Sequence, residues 1–97
     1  VSFIQIIEMR TKKYDEIQKL SDEWFAATVG KRTVKRSIVT RDRTDPDRYR
    51  IIVLFDSYQS AMENSSLPET AAFAEQQMPL LDEAPTFFDL DVIEDRT

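Results

Sequence analysis

Apolar and polar positions alternate along the 97-residue chain in a way that marks four strand-like and three helix-like stretches. The most informative is Tyr49-Arg50-Ile51-Ile52-Val53-Leu54-Phe55. Its last five residues are all apolar, three of them are β-branched, and an Asp45-Pro46-Asp47 turn precedes it. Strict alternation would mark a strand with one wet face, whereas an unbroken apolar run marks a strand covered on both faces. The opening stretch, Ser2 to Met9, has the same character. Phe3, Gln5, Ile7 and Met9 share one side, and Ile4, Ile6 and Glu8 the other. Thr33 to Arg41 and Thr86 to Glu94 complete the set of strands. The first of these is the least apolar and suits a sheet edge, where charge discourages stray pairing.

Between Thr11 and Thr28, the residues Tyr14, Ile17, Leu20, Trp24, Phe25 and Thr28 recur at spacings of three and four, giving one apolar helical stripe. Gly30, the only glycine, is expected to close this helix in a left-handed conformation. After Phe55, Asp56 or Ser57 caps a short helix with Tyr58, Ala61 and Met62 facing inward, and Asn64-Ser65-Ser66 breaks it. Pro68 then occupies the first turn of a third helix, whose stripe is Leu67, Ala71, Ala74, Met78 and Leu81. Pro79 predicts a kink or an end near Met78.

The order strand, helix, strand, strand, helix pair, strand predicts an α+β chain with the ferredoxin-like βαββαβ pattern. It would form a four-stranded antiparallel sheet with the helices on one face, and residues 1–97 are expected to make a single domain. Strands one and three become central. Helices are then available for one face only, while both faces carry apolar residues. A large exposed apolar face usually marks an interface. The expected partner is a second copy, sheet against sheet, in a two-fold homodimer.

Charge sharpens this picture. Residues 31–50 hold eight basic and three acidic side chains, a net of +5, which leaves −10 for the rest of a chain whose total is −5. Residues 82–95 hold six acidic side chains and no basic one. The basic hairpin of one subunit is therefore expected near the acidic last strand of the other. The overall negative charge argues against nucleic acid as a partner. With no Cys and no His, a metal site is not expected. No apolar run approaches the roughly 20 residues of a membrane span. The first residues lack a basic region followed by a long apolar core, so a signal peptide is not expected and the cytoplasm is the default location.

For chemistry, the informative side chains are aromatic and amide. Trp24, Tyr49, Phe55, Tyr58, Met62, Phe73 and Phe87 are candidate walls of an apolar pocket, although each also fits a closed core. Gln5 and Asn64 are the candidate catalytic amides. Gln5 reads either as a satisfied interior amide or as a hydrogen-bonding group on a pocket floor. The strand carboxylates Glu8, Asp89 and Asp91 are expected to be solvated, which argues against a proton-transfer isomerase.

Four segments carry a family resemblance: Phe3-Ile4-Gln5-Ile6-Ile7-Glu8, Val53-Leu54-Phe55-Asp56-Ser57-Tyr58, Ala61-Met62-Glu63-Asn64-Ser65 and Pro85-Thr86-Phe87-Phe88-Asp89-Leu90-Asp91-Val92. With them the chain resembles the dimeric α/β-barrel superfamily that includes the antibiotic-biosynthesis monooxygenases. It looks most like small actinobacterial members with no assigned reaction. The resemblance implies a homodimer with a cavity between helices and sheet in each subunit. It also implies the possibility of cofactor-free monooxygenation of an aromatic or polyketide-like molecule, with Gln5 and Asn64 holding a substrate phenolate. The alternative is a non-catalytic module that binds a hydrophobic small molecule or serves in assembly. Haem-degrading members of that superfamily use a histidine ligand, and this chain has none.

Overall fold

The period-two segments build four strands, β1 (Phe3–Arg10), β2 (Arg36–Arg41), β3 (Arg48–Phe55) and β4 (Thr86–Asp91). The period-3.6 segments build helices α1 (Tyr14–Ala27), α2 (Tyr58–Ser65) and α3 (Pro68–Gln77). The computed structural model describes residues 1–97. The strands form one sheet in the order β2-β3-β1-β4, every pair antiparallel. The two strands with unbroken apolar character are therefore central, and the two more polar ones are edges. The ferredoxin-like pattern expected from the order of elements is the one observed.

The register fixes which side chains share a face. Gln5 lies between Val53 on β3 and Asp89 on β4, and Ile7 lies between Ile51 and Phe87. These residues look toward the helices. One residue along, Ile4 pairs with Leu54 and Leu90, and Ile6 with Ile52 and Phe88. Those side chains form the face that no helix covers. Phe88 and Leu90 are exposed there.

Capping and tertiary hydrogen bonds set the element ends. α1 begins three residues after the expected Thr11. The Thr11 N–H donates to the Asp47 carbonyl at 2.9 Å and its hydroxyl to the Leu80 carbonyl at 2.6 Å, so Thr11 is committed to other segments. β2 likewise begins after the expected Thr33, whose N–H donates to Asn64 Oδ1 and whose hydroxyl donates to the Ser60 carbonyl. β4 ends at Asp91 rather than Glu94. Ser57 caps α2 in a reciprocal pair with Ser60. Pro79 ends α3 as expected: the helix stops at Gln77 and passes into a 3-10 turn over Met78–Leu80. Gly30 has a φ of +79°, two residues past the Thr28 cap of α1.

The basic hairpin finds counter-charges within its own chain. On the open face, Arg48 and Arg50 of β3 both reach Glu8 of β1, at 3.0 and 2.9 Å. Arg50 continues to Asp42 at 2.8 Å, and Arg48 and Arg10 converge on Asp45. Three bases and three acids thus form a neutral chain at one end of that face. Single exposed ion pairs contribute about 0–1 kcal/mol, but Asp42 is held from several sides. Besides Arg50, it accepts from the N–H and hydroxyl of Thr44 and from the N–H of Asp45. The Arg50 guanidinium first, and then these donors, hold the Asp42 carboxyl well below the usual carboxylate range.

A depressed folded-state value means that the stabilisation is present above the unfolded value and is lost as pH falls through the folded one. Asp42→Asn should therefore lower the urea midpoint at neutral pH. The gap to the parent protein should narrow as pH drops below about 4, where the unfolded chain takes up its proton. Urea titrations across the acid range measure both effects.

Candidate functional site

The inner face of the sheet is closed unevenly. α2 packs directly on β1 and β3, where Ala61 meets Phe3, Val53 and Phe55 in a small buried cluster. α1 and α3 stand off: no Cα of either comes within 8 Å of a strand Cα. They pack on each other instead. The Trp24 indole N–H donates to the Thr70 hydroxyl at 3.0 Å, and that hydroxyl donates to the Asn64 carbonyl at 2.9 Å. Lys31, after α1, meets Glu69 in the first turn of α3 at 2.7 Å. The Lys31 ammonium, and then the Glu69 backbone N–H, hold the Glu69 carboxyl below its ordinary range. Alanines at 71 and 74 on α3 are too short to bridge the gap to the sheet.

The gap is a cavity of about 380 Å³, within the size range of small-molecule sites. Its floor is the Gln5, Ile7 and Met9 face of β1 with Ile51, Val53 and Phe55 of β3. Its roof is Tyr14, Ile17, Trp24 and Phe25 of α1 with Phe73, Ala74 and Gln77 of α3. Phe87 closes the β4 side but remains 57% exposed. Sixteen of the 24 lining residues are hydrophobic, and none of the 24 carries a formal charge. Such a lining suits an uncharged, largely apolar occupant, because a desolvated ion would find no counter-charge.

The structure brings six of the nine residues expected at a site to the cavity, and three lie elsewhere. Trp24, Phe55, Phe73 and Phe87 line the cavity, as do the amides Gln5 and Asn64. Tyr58 does not: it is exposed and sets its ring edge-on to Phe3, at 5.4 Å, because α2 presents it beyond the end of the sheet. Met62 packs on the buried cluster under α2. Tyr49 stacks face to face on Tyr14, at 4.6 Å and 13°, and borders a shallow groove shared with Val39 and Arg41. Burial first, and then Tyr49 and Asp22, push the Tyr14 hydroxyl above its ordinary range, so it stays neutral.

Three amides reach the cavity. Gln5 Nε2 donates to Asp89 Oδ1 at 3.1 Å, across the register pair. Asn64 is 8% exposed, and its Oδ1 accepts the Thr33 N–H at 3.3 Å. Gln77, 9% exposed, lines the roof without an intramolecular partner for its side chain. Sequence reasoning weighed aromatic walls and passed over Gln77 and Tyr14. The signal for Gln77 was its spacing from Thr70 and Ala74, which puts all three on one face of α3.

No family model and no curated protein sequence matches the chain. Solved structures do. A Mycobacterium tuberculosis protein superposes with a TM-score of 0.81 at 12% identity, with all of both chains covered. A Caulobacter crescentus protein, named as a candidate antibiotic biosynthesis monooxygenase, gives 0.80 at 18%, covering 96% of this chain and 92% of that one. One from Chloroflexus aurantiacus with the same kind of name gives 0.72 at 22%, covering 100% and 98%. The chain has the antibiotic-biosynthesis-monooxygenase-like fold. At these identities the likeness speaks for the fold and leaves the chemistry to the site. No helix is long and apolar enough to cross a membrane.

Trp24→Phe removes the N–H that ties α1 to α3 and leaves the ring's bulk largely in place. It should cost about 1 kcal/mol, one neutral hydrogen bond, measured as a lowered urea midpoint by circular dichroism.

Proposed function

We propose that this protein binds a neutral, apolar small molecule in the cavity between sheet and helices, and does so as a homodimer paired through its open sheet face. The observation that carries the binding reading is the charge-free cavity of about 380 Å³ with amides at its wall. Ligand pockets are mostly apolar with a few placed polar groups, and this one has that composition. The dimer reading rests on Ile4, Ile6, Ile52, Leu54, Phe88 and Leu90 sharing a face without a covering layer. Pairing there would bury on the order of 2,000 Å² in total, as obligate dimers tend to.

A second reading adds turnover: a cofactor-free monooxygenase acting on an aromatic or polyketide-like molecule. The names borne by the Caulobacter and Chloroflexus structures favour it. A methylene flanked by aromatic rings can supply every electron that oxygen needs: CH2 and O2 give C=O and H2O. Gln5 and Asn64 are the groups in reach of a substrate oxygen in this reading, and no cofactor is called for. The two readings share the cavity and differ in whether the ligand leaves changed.

Ala74→Trp places a large ring in the gap. It should abolish the binding of naphthol measured by calorimetry while leaving the fold intact by circular dichroism. Unaltered binding would place the ligand elsewhere. Sedimentation at micromolar concentration should give twice the 11.3 kDa chain mass, and Ile52→Asp on the open face should reduce it to one chain. Quinone formation from an anthrone in aerated buffer, lost in Gln5→Ala and Asn64→Ala, would establish the second reading; an unchanged anthrone would leave the first.

A further inference from the structure

Gln5 is the one cavity amide whose orientation is set by a charged neighbour. Its nitrogen donates to Asp89 Oδ1 at 3.1 Å, from the adjacent position on β4. A carboxylate only accepts hydrogen bonds, so the end of the amide that faces Asp89 must be the NH2 end. A reversed amide would set its carbonyl oxygen against the carboxylate, acceptor against acceptor. The chain therefore leaves Gln5 Oε1 without an intramolecular partner, on a side chain that lines the cavity. Asn64 is poised the other way. Its oxygen accepts the Thr33 N–H, which leaves its NH2 group free.

We propose that Asp89 acts as a positioning residue that fixes Gln5 as a hydrogen-bond acceptor, and so selects a neutral ligand that carries a hydroxyl donor. This inference rests on the cavity being the binding site. A hydroxyl satisfies Gln5 Oε1, while an ether oxygen at the same place leaves it unpaired in an apolar surround, which is costly. An anionic ligand meets two obstacles. No lining residue supplies a cation, and its charge would sit one amide away from the Asp89 carboxylate. Asp89 itself is exposed at the strand edge, so it acts through the orientation of Gln5 and through its charge, without touching the ligand.

Calorimetric titration with naphthol, with its methyl ether and with naphthoate tests this, using the parent protein and Asp89→Asn. The substitution keeps the shape of the side chain but accepts either orientation of Gln5. The parent protein should bind naphthol about tenfold more tightly than the ether, the scale of one hydrogen bond to Gln5 Oε1. It should also bind naphthoate more weakly than naphthol by about tenfold or more. Asp89→Asn should reduce both ratios by about threefold or more, with naphthol itself bound nearly as before. Gln5→Leu should abolish the preference for naphthol over the ether. Equal binding of naphthol and ether by the parent protein, or ratios unmoved by Asp89→Asn, would overturn the role of Asp89 while leaving the cavity as a binding site. Failure of all three probes to bind would overturn the cavity reading, and this inference with it.

Discussion

The structure depends on a mismatch between a sheet with two apolar faces and helices that reach only part of one. α2 is short, carries Ala61 on its inner side, and seats directly on β1 and β3. α1 and α3 are longer, and their mutual contacts, Trp24 to Thr70 and Lys31 to Glu69, hold them to each other away from the strands. Filling the gap would need large side chains on α3. The chain supplies Ala71 and Ala74 there, so the apolar floor of the sheet stays unfilled. A packed interior normally leaves few voids larger than a water molecule. A void of this size is therefore a property of the site, maintained by which residues are short.

The two uncovered apolar surfaces differ in shape, and shape separates their uses. The inner one is concave, roofed by aromatic rings, and bounded by the Tyr14–Tyr49 stack at one end. That geometry favours a small molecule. The outer one is a sheet face crossed by the side chains of three strands, at a scale that suits another sheet. Ferredoxin-like folds leave this face free by construction, and the polarity of the residues on it decides whether water or protein covers it.

Charge follows the same division. One group of ionic side chains gathers at one end of the outer face, where Glu8, Arg10, Asp42, Asp45, Arg48 and Arg50 neutralise one another. A self-neutral chain can lie beside an interface without presenting a net field to it. The cavity holds amides and hydroxyls instead, groups that orient a ligand without the desolvation cost of an ion. Asp89 stands at the border between the two regimes, linked to the cavity through Gln5. The neighbours of known structure share the framework at 12–22% identity.

The sequence by itself determined the elements and their order. The unbroken run Ile51 to Phe55 and the two-sided character of Ser2 to Met9 sufficed to make those strands central, because strand periodicity is local and a one-residue slip would turn every side chain over. It also determined the lack of thiolate and imidazole chemistry. Element ends were less legible, since Thr11 and Thr33 are withdrawn from α1 and β2 by partners tens of residues away. The site was legible in part. Alternation placed Gln5 with Phe3, Ile7 and Met9, but the sequence could not say that Tyr58 would fall outside while Gln77 and Tyr14 lay inside. That depends on how far α1 and α3 stand from the sheet, a distance set by long-range packing that no periodicity encodes. Only the tertiary structure decided that the aromatic cluster is hollow, and that a carboxylate from β4 turns the one amide on β1.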